Sequence, residues 1–231
     1  MDQGQAGRQL WLELPPMSAQ APRRLLVFLH GAGSCVEAFV PIAIAWQLKF
    51  PGATAVILEA LREGTLRQGK EWFDGRGVAL DRLPRLEAAR AVVAQRLAAL
   101  QRATGLDGAR TIIVGFSQGA TLALELARSQ PAPAAIVVSY AGQLGRPIGP
   151  GERVTPTIHL LHGEFDSVVP AAHAQRAYRG LLQAGADVTL DIAADEAHSI
   201  GQAMINLGTW RVLRTLFRGR TRRARGGSTL H

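Results

Sequence analysis

A single cysteine, Cys35, stands in a chain of 231 residues. No disulfide can form within the chain, and a reducing, cytosolic setting is the default expectation. No apolar run approaches the roughly 20 residues that a membrane-crossing helix needs, and Met1 to Gln9 is polar with no leader-like pattern, so a protein that is neither exported nor membrane-spanning is expected. Lysine is confined to Lys49 and Lys70, and the other positive residues are arginine, a bias that codon usage explains as well as function does.

Acidic residues are missing altogether from Arg211 onward, where seven arginines stand (211, 214, 218, 220, 222, 223 and 225). Subtracting those seven from the formal charge of +8 leaves +1 for residues 1–210. The body is therefore near neutral, and nucleic acid or anionic lipid is a candidate partner for the tail alone. A solvated, disordered tail over 218–231 is the plainer reading. The rest, 1–217, is expected to be one domain, since α/β sheets of this size often stay undivided.

Along that domain, short continuous apolar runs alternate with helix-like stretches. Leu25–Leu29, Thr54–Leu58, Thr111–Val114, Ala134–Ser139, Thr157–Leu161 and Val188–Ile192 read as strands covered on both faces, with Gln9–Leu14 as an edge strand. Helices are expected over Val36–Lys49, Arg85–Thr104, Ala120–Ala127, Ala171–Ala184 and Ser199–Phe217. The alternation implies a mostly parallel central sheet with helices on both faces, a three-layer α/β architecture. Residues 59–84 are left as a long polar connection carrying Trp72 and Phe73, and connections of that length in compact domains are usually functional or disordered.

Ligands in such sheets sit beyond the carboxyl ends of the strands, so the reactive residues that directly follow a strand carry the information. Gly115-Phe116-Ser117-Gln118-Gly119 lies between a strand and a helix. That sharp turn strains the middle residue and requires neighbours without side chains where strand and helix approach. Downstream, Asp166 and His198 also follow strands, giving the order Ser117, Asp166, His198, the nucleophile, acid and base order of α/β-hydrolases. A serine hydroxyl needs a base at neutral pH, an imidazole suits that task, and a carboxylate fixes its tautomer. Backbone N–H groups of Ala32 and Gln118 are the expected oxyanion donors.

Other candidates compete. His30 and His162 precede glycines at strand ends and are read as loop braces, His159 lies in a strand, His173 on a helix and His231 in the tail; Glu164, Asp191 and Asp195 are the alternatives to Asp166. Cys35 is read as a space filler, and no His, Cys or acid spacing suits a metal, so neither metal nor cofactor is expected.

Leu29-His-Gly-Ala-Gly33, Glu71-Trp-Phe-Asp74, Gly115-Phe-Ser-Gln-Gly119, His162-Gly-Glu-Phe-Asp166 with Val169-Pro170, and Ala197-His198 occur in that order. As a set they resemble the bacterial carboxylesterase and acyl-protein thioesterase (phospholipase/carboxylesterase) family and its YpfH-like branch. The likeness spans about residues 25–210 and departs at Gly33-Ser34-Cys35, where many members have Gly-Asp. It implies an α/β-hydrolase fold, the same triad and oxyanion donors, and a shallow apolar acyl groove. Trp72 and Phe73 are candidates for its wall, with Trp72 alternatively a loop anchor. The expected activity is hydrolysis of a small carboxylic ester or thioester through an acyl-serine. Acyl-protein, lysophospholipid and peptide substrates are alternatives on the same residues, a binding protein using its basic tail is the non-enzymatic one, and a homodimer is admitted.

Overall fold

The computed structural model describes residues 11–65 and 68–225. The expected strand start at Gln9 lies outside them, as do residues 226–231 of the basic tail. Among the described residues nine strands form: β1 (Trp11–Leu14), β2 (Arg24–Leu29), β3 (Ala53–Leu58), β4 (Arg62–Glu63), β5 (Lys70–Glu71), β6 (Thr111–Phe116), β7 (Ile136–Tyr140), β8 (Thr157–Gly163) and β9 (Val188–Ala193). The helices are α1 (Val36–Gln47), α2 (Ala79–Thr104), α3 (Gln118–Ala127), α4 (Ala172–Gln183) and α5 (Gln202–Arg225).

Seven strands make the main sheet in the order β1-β3-β2-β6-β7-β8-β9, and β4 and β5 pair by themselves. Only β1 runs antiparallel to its neighbour β3; every other pair in the main sheet is parallel. This is the α/β-hydrolase class of mostly parallel sheet. The apolar runs are continuous because helices cover both faces. Leu25, Val27 and Leu29 of β2 face one buried cluster with Leu97 of α2, Leu122 of α3 and Leu181 of α4. Leu26 and Phe28 face the other, with Phe39 and Trp46 of α1 and Met204 and Val212 of α5.

Two boundaries differ most from the sequence expectation. Helix α2 begins at Ala79, six residues before Arg85, and carries Pro84 inside it. Proline deprives only the Leu80 carbonyl of its intrahelical donor, a single bond close to the start of a 26-residue helix. Helix α5 continues to Arg225, past Phe217.

The chain winds outward from the middle of the sheet. From β2 it steps to β3 on one side, and from β6 through β7 and β8 to β9 on the other. The crevice at that reversal, beyond the ends of β2 and β6, is where such sheets hold ligands. It is flanked by His30-Gly31-Ala32 after β2 and Ser117 after β6.

Candidate active site

Ser117 sits between β6 and α3 at φ 52° and ψ −115°, a conformation that costs a non-glycine residue of order 1–3 kcal/mol. The surroundings hold it there. Its N–H donates to the Tyr140 carbonyl at 2.9 Å, and its carbonyl accepts the Thr121 N–H at 3.0 Å. Gly119 is the spacer that the turn demands, because a Cβ at that position would overlap the carbonyl oxygens of Leu29 and His30. A Cβ on Gly115 would stand 2.6 Å from Ala120 Cα.

The structure brings Ser117, Asp166 and His198 into one line. His198 Nε2 lies 2.9 Å from Ser117 Oγ, and His198 Nδ1 lies 2.7 Å from Asp166 Oδ2. With Nδ1–H donating to the carboxylate, Nε2 has its lone pair free for the serine proton. The Phe116 ring backs the imidazole at 5.0 Å between centroids. The Asp166 side chain is fully buried. Burial pushes its pKa up, but hydrogen bonds from His198 and from the N–H groups of Val169 and Val168, at 2.8 and 3.0 Å, outweigh it and hold the carboxyl below its ordinary range. The competing acids lie elsewhere: Glu164 and Asp195 are exposed and Asp191 is ion-paired with Arg211.

The other histidines are occupied. His162 Nε2 donates to the Val169 carbonyl at 2.6 Å and stands 3.2 Å from Asp166 Oδ2, bracing the acid loop. His30 Nδ1 contacts the Gly31 carbonyl at 2.8 Å, and burial lowers its pKa. His159 is buried between the hydroxyls of Thr189 and Thr215, and His173 meets Arg176 on α4. His231 lies outside the described residues.

Ala32 is exposed on the turn after β2, and its neighbour Gly31 packs against Phe116 and Ser117. Among the described residues, neither the Ala32 nor the Gln118 N–H donates to a protein acceptor. The Ala32 loop is fixed by the residues that sequence reading left as a connection. Gly33 N–H donates to the Lys70 carbonyl at 2.9 Å, Lys70 N–H returns a bond to the Ser34 carbonyl at 2.8 Å, and the Lys70 ammonium reaches Glu59 at 3.0 Å.

Trp72 and Phe73 part company. Trp72 is 1 % exposed, donates from Nε1 to the His30 carbonyl at 2.7 Å, and does not line the cleft, so it anchors the loop; Phe73 does line it. The residue that sequence reading missed is the side chain of Gln118, which accepts from Trp72 N–H at 2.7 Å and donates to the Phe73 carbonyl at 2.8 Å. Nothing in the local pattern distinguishes that amide from an ordinary first-turn helix residue. The cleft beside Ser117 encloses about 180 Å³, with Leu83 and Leu86 of α2, Leu144 and Val169 supplying its apolar surface.

A family model described as phospholipase/carboxylesterase matches residues 17–207. The chain belongs to the phospholipase/carboxylesterase family. Within it, esterase YpfH of Escherichia coli (strain K12) is 33% identical over 179 residues, covering 77% of each chain. The solved structure of esterase PE8 superposes with a TM-score of 0.81 at 32% identity, over 88% of this chain and 97% of that one. The Bacillus cereus carboxylesterase, 16% identical over 86% of this chain and 91% of its own, has a TM-score of 0.71 and shares the fold. As a member of this family the protein is a hydrolase of the esterase type. Among the described residues no helix is long and apolar enough to cross a membrane.

Proposed function

We propose that the protein is a serine carboxylesterase working through a covalent acyl-Ser117 intermediate, with His198 as general base and acid, Asp166 as the residue that orients it, and the Ala32 and Gln118 amides as oxyanion donors. The observation that carries this reading is the unbroken hydrogen-bonded line from Ser117 Oγ through His198 to Asp166, at 2.9 and 2.7 Å. Ser117 Oγ attacks the acyl carbon as its proton passes to His198 Nε2, and the negative charge moves onto the carbonyl oxygen. The two amides meet that oxygen, each donor typically contributing about 10²–10³ in rate. The imidazolium, stabilised by Asp166, then protonates the departing alcohol, and water repeats the sequence to release the acid.

The size of the cleft points to a short acyl group. At about 180 Å³ it falls below the range of roughly 300–1,000 Å³ typical of sites for drug-sized ligands, so a long lipid chain would have to run out over the rim. Thioesters present the same carbonyl to the same groups and enter the same cycle. The single cysteine, Cys35, supports a reducing, cytosolic setting. Turnover of a p-nitrophenyl ester series of graded acyl length tests this: activity highest on short chains, and lower by about 10⁴–10⁶ in S117A or H198A, is expected. Retained turnover in S117A would overturn the reading.

A further inference from the structure

The cleft beside Ser117 holds a cation with no counter-charge among the described residues. Arg82, in the first turn of α2, is half-buried in the cleft wall, and among the described residues its guanidinium has no ion pair or hydrogen bond. Its neighbours are all engaged. Arg85 pairs with Asp74 at 3.4 Å and donates to the Arg76 carbonyl at 2.7 Å, while Arg76 binds Asp74 at 2.7 Å. Among the described residues no Asp or Glu lines the cleft. Glu125, beneath the cleft floor, is bound to Arg128 and to the Gly145 N–H. Gln143 lines the same cleft and also lacks a partner among the described residues. A hollow of about 420 Å³ that shares Leu144 and Gly145 with the cleft adds Arg176, Arg179 and Arg146, the last of which reaches Glu152 at 3.3 Å, and among the described residues no acid lines it.

A half-buried cation without a partner gives up part of its hydration uncompensated, and the N-terminal end of α2 adds positive potential rather than relieving it. A ligand anion would satisfy Arg82 and Gln143 together. Geometry says which part of the substrate carries it. The leaving alcohol must face His198, which does not line the cleft, so the acyl part enters it. We propose that the preferred substrates are half-esters of short dicarboxylic acids, whose distal carboxylate is bound by Arg82 as the specificity-determining residue. This names the substrate class of the esterase reading above and rests on it. The chemistry is unchanged: the ester C–O bond breaks as the Ser117 Oγ–C bond forms, the alcohol leaves with the proton held by His198, and water releases the dicarboxylic acid. The distal carboxylate takes part in binding alone.

The test compares methyl hydrogen glutarate with methyl pentanoate, matched in acyl length, by pH-stat at neutral pH. The wild type should favour the half-ester in kcat/KM by about tenfold or more. R82Q should cut that ratio by about 10–100-fold, the usual worth of a charged hydrogen-bonded pair. The cut should fall chiefly on KM because ground and transition states share the contact, and R82K should give an intermediate ratio. A wild-type ratio at or below one, or a ratio that R82Q leaves in place, overturns the assignment, as does a stronger preference for a phosphonate in place of the carboxylate. The failures are separable. Hydrolysis of methyl pentanoate that is lost in S117A, without preference for the half-ester, removes the Arg82 assignment alone; hydrolysis of neither ester removes the esterase reading as well.

Discussion

Gln118, the residue next to Ser117, holds the backbone at Trp72 and Phe73 with its side-chain amide. Its Oε1 accepts the Trp72 N–H at 2.7 Å while its Nε2 donates to the Phe73 carbonyl at 2.8 Å. The 59–78 connection is thereby fastened to the first turn of α3, and through Trp72 Nε1 to the His30 carbonyl beside the Ala32 turn. Replacing Gln118 with alanine keeps the backbone amide but leaves the Trp72 N–H without its acceptor. An unmade buried hydrogen bond of this kind costs about 1–3 kcal/mol. Q118A should lower the denaturation midpoint accordingly and reduce kcat/KM by about tenfold, measured on one short ester.

Gly163 and His198 are linked by close approach. A Cβ on Gly163 would stand 2.5 Å from the Glu196 carbonyl oxygen and would meet that of Ala197 as well, and the Phe165 N–H donates to the same Glu196 carbonyl at 2.9 Å. G163A must push the segment bearing His198 away from Ser117. The expected result is a kcat lower by about 10²-fold, the usual cost of a misplacement near 1 Å, with a stability loss of about 1–3 kcal/mol. Steady-state kinetics beside a urea titration separates the two effects.

Arg128 organises the far wall of the cleft. Its side chain, 2 % exposed, pairs with Glu125 at 2.9 Å and Glu152 at 2.5 Å and donates to the carbonyls of Arg146 and Pro147. Burial keeps the Glu125 carboxyl above its ordinary range in spite of Arg128, so removing the guanidinium strands a buried acid. R128M should destabilise the fold by about 3–5 kcal/mol, read from a denaturant titration. E152Q, which removes the outer and partly exposed partner, should cost less.

Two of the groups that contribute to stability on the acid side act in successive windows. Burial lowers the pKa of His159 from 6.5 to about 4. Between those values the unfolded chain takes up a proton that the native state refuses, so stability falls as pH drops through that window. Glu152, held by Arg128 at about 2 against an ordinary 4.5, contributes stability above 4.5 that is lost as pH falls toward 2. H159Q should flatten the upper slope and E152Q the lower one, in urea midpoints taken from pH 7 to pH 2.

Much of this architecture is legible in the sequence because its causes are local. Continuous apolar runs such as Leu25–Leu29 must be covered on both faces, and Gly115 and Gly119 around Ser117 announce a turn that needs bare backbone. The strand-end positions of Asp166 and His198 follow from the same logic. What was not legible depends on partners distant in sequence. The helix expected from Arg85 starts at Ala79 with Pro84 inside it, which the local pattern does not announce. Lys70 gives no hint that its backbone pairs with Ser34. Trp72 in a polar stretch gives no sign of choosing between core and groove until its indole meets His30. Arg82 is one of 24 arginines in the sequence, and its lack of a side-chain partner among the described residues exists only in three dimensions.

The central claim is that the Ser117 hydroxyl is the nucleophile that carries the acyl group, and intact-protein mass spectrometry with peptide mapping tests it most directly. Treated with a fluorophosphonate, the protein should gain one phosphonyl group, located on Ser117, with ester hydrolysis lost in step; S117A should gain none. Full labelling at another residue, or full Ser117 modification with hydrolysis undiminished, would contradict the account.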